Sequence, residues 1–294
     1  NNTTSARFSF IGGGNNNIIQ SSTNECCSLG ATIGGGIGHN TQGGTFNDVT
    51  GLFTVPPNAC NAGKFSTIAG GARNIATGKY AVVGGGARNI ATGAYSLVGG
   101  GRQNTASGSC SSVVNGSLNI ASGFRSFISG GANNSASGAY SFLGHGGGMT
   151  ASGTRSFIGS GAINIASGEF STVLNGFCNI ALASYSFVGN GRQNTASGIH
   201  SFIGSGNTNT ASQNYSFVGG GTQNIASGCS SFIGGGQSNT ASGNCSIVVA
   251  GINNTTSARF SFIGGGNNNI IQSSTNECCS LGATIGGGIG HNTQ

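Results

Sequence analysis

The sequence predicts an all-β fold, a β-solenoid in the form of a narrow roll, with coils of about fifteen residues and two short strands per coil. Three observations predict it. A fifteen-residue pattern runs through the chain. Glycine makes up 59 of the 294 residues while charged residues are only 5%. Side chains of fixed type return at alternating positions of the pattern. Globular chains average roughly 7% glycine and about a quarter charged residues, so this bias points to a repeat architecture. Collagen would need glycine at every third residue and abundant proline. The chain has two prolines and no such period.

Aligned on its asparagine, the pattern starts at Asn74, Asn89, Asn104, Asn119 and Asn134, and again from Asn164 to Asn269 in steps of fifteen. It reads N-[IT]-A-[ST]-G-x-[YF]-S-F-[IV]-G-x-G-x-x, numbered below as positions 1 to 15. A longer repeat encloses the short one: residues 1–42 are identical to residues 253–294, an offset of 252. The expectation is one continuous solenoid over residues 1–294, drawn from an array of 252-residue units. The chain begins at Asn1 without a methionine, which suggests a segment of a longer or processed protein. Two coils exceed the period. Asn17 to Asn40 spans 23 residues and Asn40 to Asn74 spans 34. The excess is expected to leave the roll as insertion loops at about 18–31 and 43–63, and at 270–283 in the second copy.

A period this short fits two strands and two turns. Strand one is placed at positions 1–4, as in Asn224-Ile225-Ala226-Ser227, with Gly228 supplying a left-handed turn. Strand two is placed at positions 7–10, as in Tyr215-Ser216-Phe217-Val218, followed by the turn Gly219-Gly220-Gly221. Side chains alternate between the two faces of a strand. Alanine at position 3, serine at 8 and a branched residue at 10 then point inward, as at Ala76, Ser96 and Val83. Asparagine at position 1 is expected to stack as an amide ladder. Position 9 points outward and carries Phe127, Phe142, Phe157, Phe187, Phe202, Phe217, Phe232 and Phe262. Position 7 adds Tyr140, Tyr185 and Tyr215 on the same side. The core implied is thin, and a long exposed apolar stripe marks an interface. Lateral self-association through these aromatics, as a homotrimer, follows. The rival arrangement turns the phenylalanines into the roll.

The runs Asn194-Thr195-Ala196-Ser197-Gly198 and Ser201-Phe202-Ile203-Gly204, repeated over nearly the whole chain, resemble the head repeats of trimeric autotransporter adhesins and of trimeric tail-fibre proteins. Glycine- and asparagine-rich arrays in fibres of large viruses are similar. The resemblance implies a narrow left-handed β-roll, trimeric assembly, and a place on a cell surface or fibre shaft.

The remaining motifs favour structure over chemistry. Cys229 and Cys245 stand at positions 6 and 7 of adjacent coils, roughly 6 Å apart by coil rise and one residue of offset. A disulfide is expected there, and a loop staple among Cys26, Cys27 and Cys60, in an oxidising extracellular setting. No C-x-x-C pair indicates zinc, and no cofactor is implied. Carboxylates are limited to Glu25, Asp48, Glu169 and Glu277, a poor supply for a catalytic pair, so the chain is read as not an enzyme. Its net charge of +6 is spread without basic runs, against a nucleic-acid groove. No apolar run is long enough to span a membrane. Sequons at Asn115, Asn133, Asn214 and Asn244 permit glycosylation.

The function expected is therefore a structural subunit of an extended extracellular or virion-surface fibre. A trimeric adhesin is the alternative. It would bind a host surface, matrix or glycans through the insertion loops, with Glu25, Phe53, Pro56 and Pro57 as contacts. A third reading takes the threonine and serine columns of strand one, as at Thr195 and Ser197, for an ice-binding face. Ordinary β-propensity explains those columns as well.

Overall fold

A computed structural model describes residues 2–19, 30–39, 41, 45–47, 52–55, 63–273 and 282–293. All regular elements among them are β-strands. The chain divides into two units, Asn1–Gly148 and Met149–Gln294. Each is a β-solenoid whose regular coils pair their strands in parallel with the next coil at a register of fifteen.

In the N-terminal unit one ladder runs through Ile75–Ala76, Ile90–Ala91, Thr105–Ala106, Ile120–Ala121 and Ser135–Ala136. A second runs through Thr67–Ile68, Val82–Val83, Leu97–Val98, Ser112–Val113 and Phe127–Ile128. The C-terminal unit repeats both, for example Thr195↔Thr210 and Phe202↔Phe217. In most coils the strands are shorter than expected, covering positions 2–3 and 9–10, whereas Phe142–Gly147 and Phe157–Ala162 run on to position 14. A third contact line, which the sequence did not reveal, joins position 14 of successive coils: Ala72, Ala87, Arg102, Ser117 and Ala132. Successive coils are tied by backbone bonds such as Ile75 N–H to Asn89 C=O (2.8 Å), Val82 to Ser96 (2.9 Å) and Ala72 to Gly86 (2.9 Å).

The corners differ from expectation in a physically instructive way. Gly228 and its equivalents at position 5 of the regular coils are not left-handed. They are glycine because the next coil passes too close for a side chain: a Cβ on Gly228 would collide with the Gly243 carbonyl oxygen. The left-handed residues are at positions 7 and 15, as at Tyr215 (φ 59°) and Arg88 (φ 58°), and at the position-13 glycine, as at Gly221 (φ 91°). A non-glycine residue in this region costs roughly 1–2 kcal/mol. Each such corner is held by a backbone bond running the other way, as from Tyr80 N–H to Lys64 C=O (2.9 Å).

The inside of the roll follows the predicted columns. Ala76, Ala91, Val83, Val98, Ile128 and Ile203 are all fully buried, and so are Asn74, Asn89 and Asn104. The asparagine at position 1 is a turn clamp more than an amide ladder. Asn89 Oδ1 accepts the Asn104 N–H (3.0 Å), and Asn89 Nδ2 donates to Gly85 C=O (2.8 Å) and Gly101 C=O (2.9 Å). One side chain thus satisfies three backbone groups that the tight turn leaves over, as buried polar groups require. Amide-to-amide bonds are added at some coils, such as Asn194 Nδ2 to Asn179 Oδ1 (3.1 Å).

The long coils keep the same frame. Ile18–Ile19 pairs with Thr3–Thr4, and Thr32–Ile33 pairs with Phe10–Ile11 and Thr67–Ile68. Ile18 and Ile19, at the start of the expected loop, thus belong to the ladder. Strands Thr45–Asn47 and Leu52–Val55 form an antiparallel hairpin within the second insertion. His39, not Asn40, takes position 1 here: its N–H donates to Asn17 Oδ1 and its Nδ1 accepts the Asn74 N–H, both at 3.1 Å. The coils are thus 22 and 35 residues long, not 23 and 34. The second copy of this segment takes the same register, Phe262↔Thr284 matching Phe10↔Thr32, and His291 N–H donates to Asn269 Oδ1 (3.0 Å).

Candidate interaction face

Position 9 follows directly after an inward serine and before an inward branched residue, so the pleat turns it outward. Phe187, Phe202, Phe217 and Phe232 are each half-buried between fully buried neighbours. Their rings stack in one uninterrupted column, with centroids 4.9, 4.8 and 5.0 Å apart and planes within 6°. The rival arrangement, with phenylalanines inside, is excluded by this geometry. In the N-terminal unit Phe127 and Phe142 stack at 5.3 Å. Phe157 belongs to the same position in the C-terminal unit, where Thr172 follows it. Phe262 is 36% exposed and pairs with Ile247, which ends the run of rings.

Position 7 forms a second outward column, on the left-handed corner instead of a strand. Phe170, Tyr185, His200 and Tyr215 stack at 5.0, 4.7 and 5.2 Å. The sequence reading missed His200 as a member. The signal was its position, seven residues into a coil whose neighbours carry tyrosine there. Tyr140 instead meets Phe124 edge-on at 5.4 Å. In the N-terminal unit Phe65, Tyr80 and Tyr95 stack at 5.1 and 5.0 Å.

Cations sit on these rings. Lys79 Nζ lies 5.2 Å from the Tyr80 centroid and Arg125 lies 5.0 Å from Phe124, while Arg155 covers Phe170 at 5.0 Å. The Arg155–Glu169 pair, at 3.9 Å, is half exposed on both sides and contributes little to stability. His39 is the only group whose ionisation is clearly displaced among the described residues. Burial pushes its pKa below the usual histidine value, and backbone groups of Gly71, Gly35 and Asn74 pull partly back.

The expected Cys229–Cys245 disulfide is not formed: both thiols are free. The coils are adjacent as expected, with Cys245 N–H donating to Cys229 C=O (2.8 Å). The offset of one position is the reason. Cys245 occupies the left-handed corner at φ 57° and is exposed, while the half-buried Cys229 turns its Sγ toward Ser230 Oγ, at 3.9 Å. Cys26, Cys27, Cys60, Glu25, Pro56 and Pro57 lie outside the described residues. Phe53 falls in the hairpin strand Leu52–Val55. Among the described residues no group of three His, Cys, Asp or Glu side chains could hold a metal ion. Among the same residues no helix is long and apolar enough to cross a membrane.

The fold and this face define the class as a repeat β-solenoid. Comparison with protein-family models and with curated protein sequences matched none.

Proposed function

We propose that this chain is a non-catalytic structural subunit of an extended extracellular or virion-surface fibre, assembled laterally as a homotrimer through its aromatic columns. The observation that carries this reading is the uninterrupted stack Phe187–Phe202–Phe217–Phe232, half exposed on a backbone that repeats at every coil. Rings held in register need no ordering on association, which removes much of the usual side-chain entropy cost. The neighbouring Tyr185–His200–Tyr215 column widens the same apolar side. The resemblance to trimeric autotransporter heads and tail fibres supports the trimer and the surface location. The 252-residue repeat supports a long array.

Light scattering coupled to size exclusion tests the assembly. The intact chain is expected to run at three chain masses. Phe202→Ser with Phe217→Ser is expected to run at one while keeping its β-sheet spectrum. Serine already occupies this position at Ser112, so the coil accepts it. A monomeric parent chain, or a variant that remains trimeric, would overturn the assignment of the interface.

A further inference from the structure

The N-terminal unit carries a second dressed face, which borders the aromatic column of Phe65, Tyr80 and Tyr95. Between Asp48 and Glu169 the sequence has no acidic residue, yet Lys64, Arg73, Lys79, Arg88, Arg102, Arg125 and Arg155 all fall there. The solenoid does not scatter the first five. From Arg73 to Lys79 the residues alternate strictly between outward and buried, so Arg73, Ile75, Thr77 and Lys79 all turn outward, Arg73 from the left-handed corner that precedes the strand Ile75–Ala76. The next coil repeats the alternation with Arg88, Ile90, Thr92 and Ala94. Ile75 and Ile90 are paired across the first ladder. Arg73 and Arg88 therefore form a column along one margin of this ladder. Lys64 and Lys79 form a column along the other, and Arg102 continues from position 14 of the following coil.

Both columns are fixed by the backbone. Arg73 and Arg88 sit in left-handed corners, with Arg88 N–H bonded to Ala72 C=O (2.9 Å). Lys64 and Lys79 lean on the stacked rings of Phe65 and Tyr80, with ammonium-to-centroid distances of 5.7 and 5.2 Å. Between the columns lies a flat strip of isoleucine and threonine. The C-terminal unit has no such columns. Its corner at position 15 is uncharged throughout, as at Gln193 and Gln223, and position 6 carries only the isolated and opposite charges Glu169 and Arg259. The paired columns are thus confined to a few consecutive coils of one unit.

We infer that this face binds an anionic polysaccharide laid along the coil stack. Each column offers two cations one coil rise apart, ~4.8 Å. A pyranose advances along its chain by a similar step, so carboxylate or sulfate groups on successive sugars meet successive coils in register. The isoleucine and threonine strip suits the C–H and hydroxyl edges of the sugar rings. Duplex DNA fits less well. It presents one charge per ~1.7 Å, and the flat strip offers no groove to follow its backbone. This reading does not depend on lateral assembly of the aromatic face.

Binding of the full chain to heparin, alginate, neutral dextran and a short DNA duplex at physiological salt tests the inference. Heparin and alginate are expected to bind and dextran not. Arg73→Gln with Arg88→Gln is expected to weaken heparin binding by ~100-fold, about tenfold for each lost charged contact. Glutamine already stands at this corner at Gln103, Gln193 and Gln223, with φ 55–57°, so the variant keeps its fold, which an unchanged melting temperature would verify. Arg192→Gln with Arg259→Gln, which removes the same charge elsewhere, is expected to leave affinity within about twofold. Failure of both polyanions to bind, equal losses in the two variants, or tighter binding of the duplex would each overturn the inference.

Discussion

The two units share a coil and differ in what they carry on it. In the N-terminal unit the strand-one face is cationic, at Arg73, Lys79 and Arg88. In the C-terminal unit that face has no cationic column, and a four-ring phenylalanine column, Phe187 to Phe232, runs along strand two. Inside the roll the units are alike: Asn104 and Asn224, Ala106 and Ala226, Val98 and Val218 are all fully buried. The difference teaches that geometry fixes the inward positions and leaves the outward ones free for binding. A side chain that faces inward meets its own equivalent one coil away, so a misfit there is felt by both neighbours. An outward residue answers only to its ladder neighbours and to solvent.

The strongest way to break this comparison is at the position-13 glycine, which should be equally intolerant in both units. A Cβ on Gly101 or Gly221 would collide with the carbonyl oxygen of Gly116 or Gly236, at φ +84° and +91°. Gly101→Ala and Gly221→Ala are each expected to destabilise by about 3 kcal/mol, combining clash and left-handed strain. Gly100→Ala, one residue earlier with nothing within 4 Å, is expected to change stability by less than about 0.5 kcal/mol. Chemical denaturation would measure all three. A tolerant Gly221 beside an intolerant Gly101 would show that the units do not share one coil geometry.

The next effect in size is confined to the N-terminal unit. His39 is buried at the place where regular coils have asparagine, and its pKa is lowered by burial. The unfolded chain therefore takes up a proton that the folded chain resists. Stability should be constant above the ordinary histidine pKa of about 6.5 and fall as pH drops below it, until the lowered folded value is passed. His39→Asn should abolish this part of the acid sensitivity, and melting temperatures between about pH 5 and 8 would show it. An unchanged acid limb in the variant would place the sensitivity elsewhere.

The smallest effect sharpens the comparison at the inward serine. Ser216 Oγ donates to Gln213 C=O at 2.6 Å, whereas Ser111 Oγ makes no hydrogen bond to protein. Ser216→Ala should cost about 1 kcal/mol, and Ser111→Ala close to nothing. Ala81 already fills the position fully buried. The bond follows from position 5: where it is not glycine, as at Ala183 and Gln213, the serine reaches its carbonyl.

Much of this architecture was legible because each position is sampled many times in one chain. Repeated Asn, Ala and Ile or Val marked the interior. Alternation around the inward serines, as at Ser201 and Ser216, aimed Phe202 and Phe217 outward. The left-handed corner was not legible. Aromatic residues rarely adopt positive φ, so Tyr215-Ser216-Phe217-Val218 reads as a strand from its first residue. His39 was hidden by Asn40, which carries the expected letter one place too late. Only hydrogen bonding shows that an imidazole Nδ1 can do what an amide Oδ1 does elsewhere. The cysteine pair misled because coil spacing gives proximity of backbones but not the direction of side chains around a corner. The cationic face was missed because its residues are fifteen apart in sequence and form no run.

The asparagine clamp has a mechanical consequence. Asn89 is tied at once to the coil before it, through Gly85, to the far turn of its own coil, through Gly101, and to the start of the next, through Asn104. Tension along the chain therefore cannot loosen the roll gradually. It must strip a whole turn before the next clamp bears any load, so each coil acts as a sacrificial stitch that absorbs work and leaves its neighbours sewn.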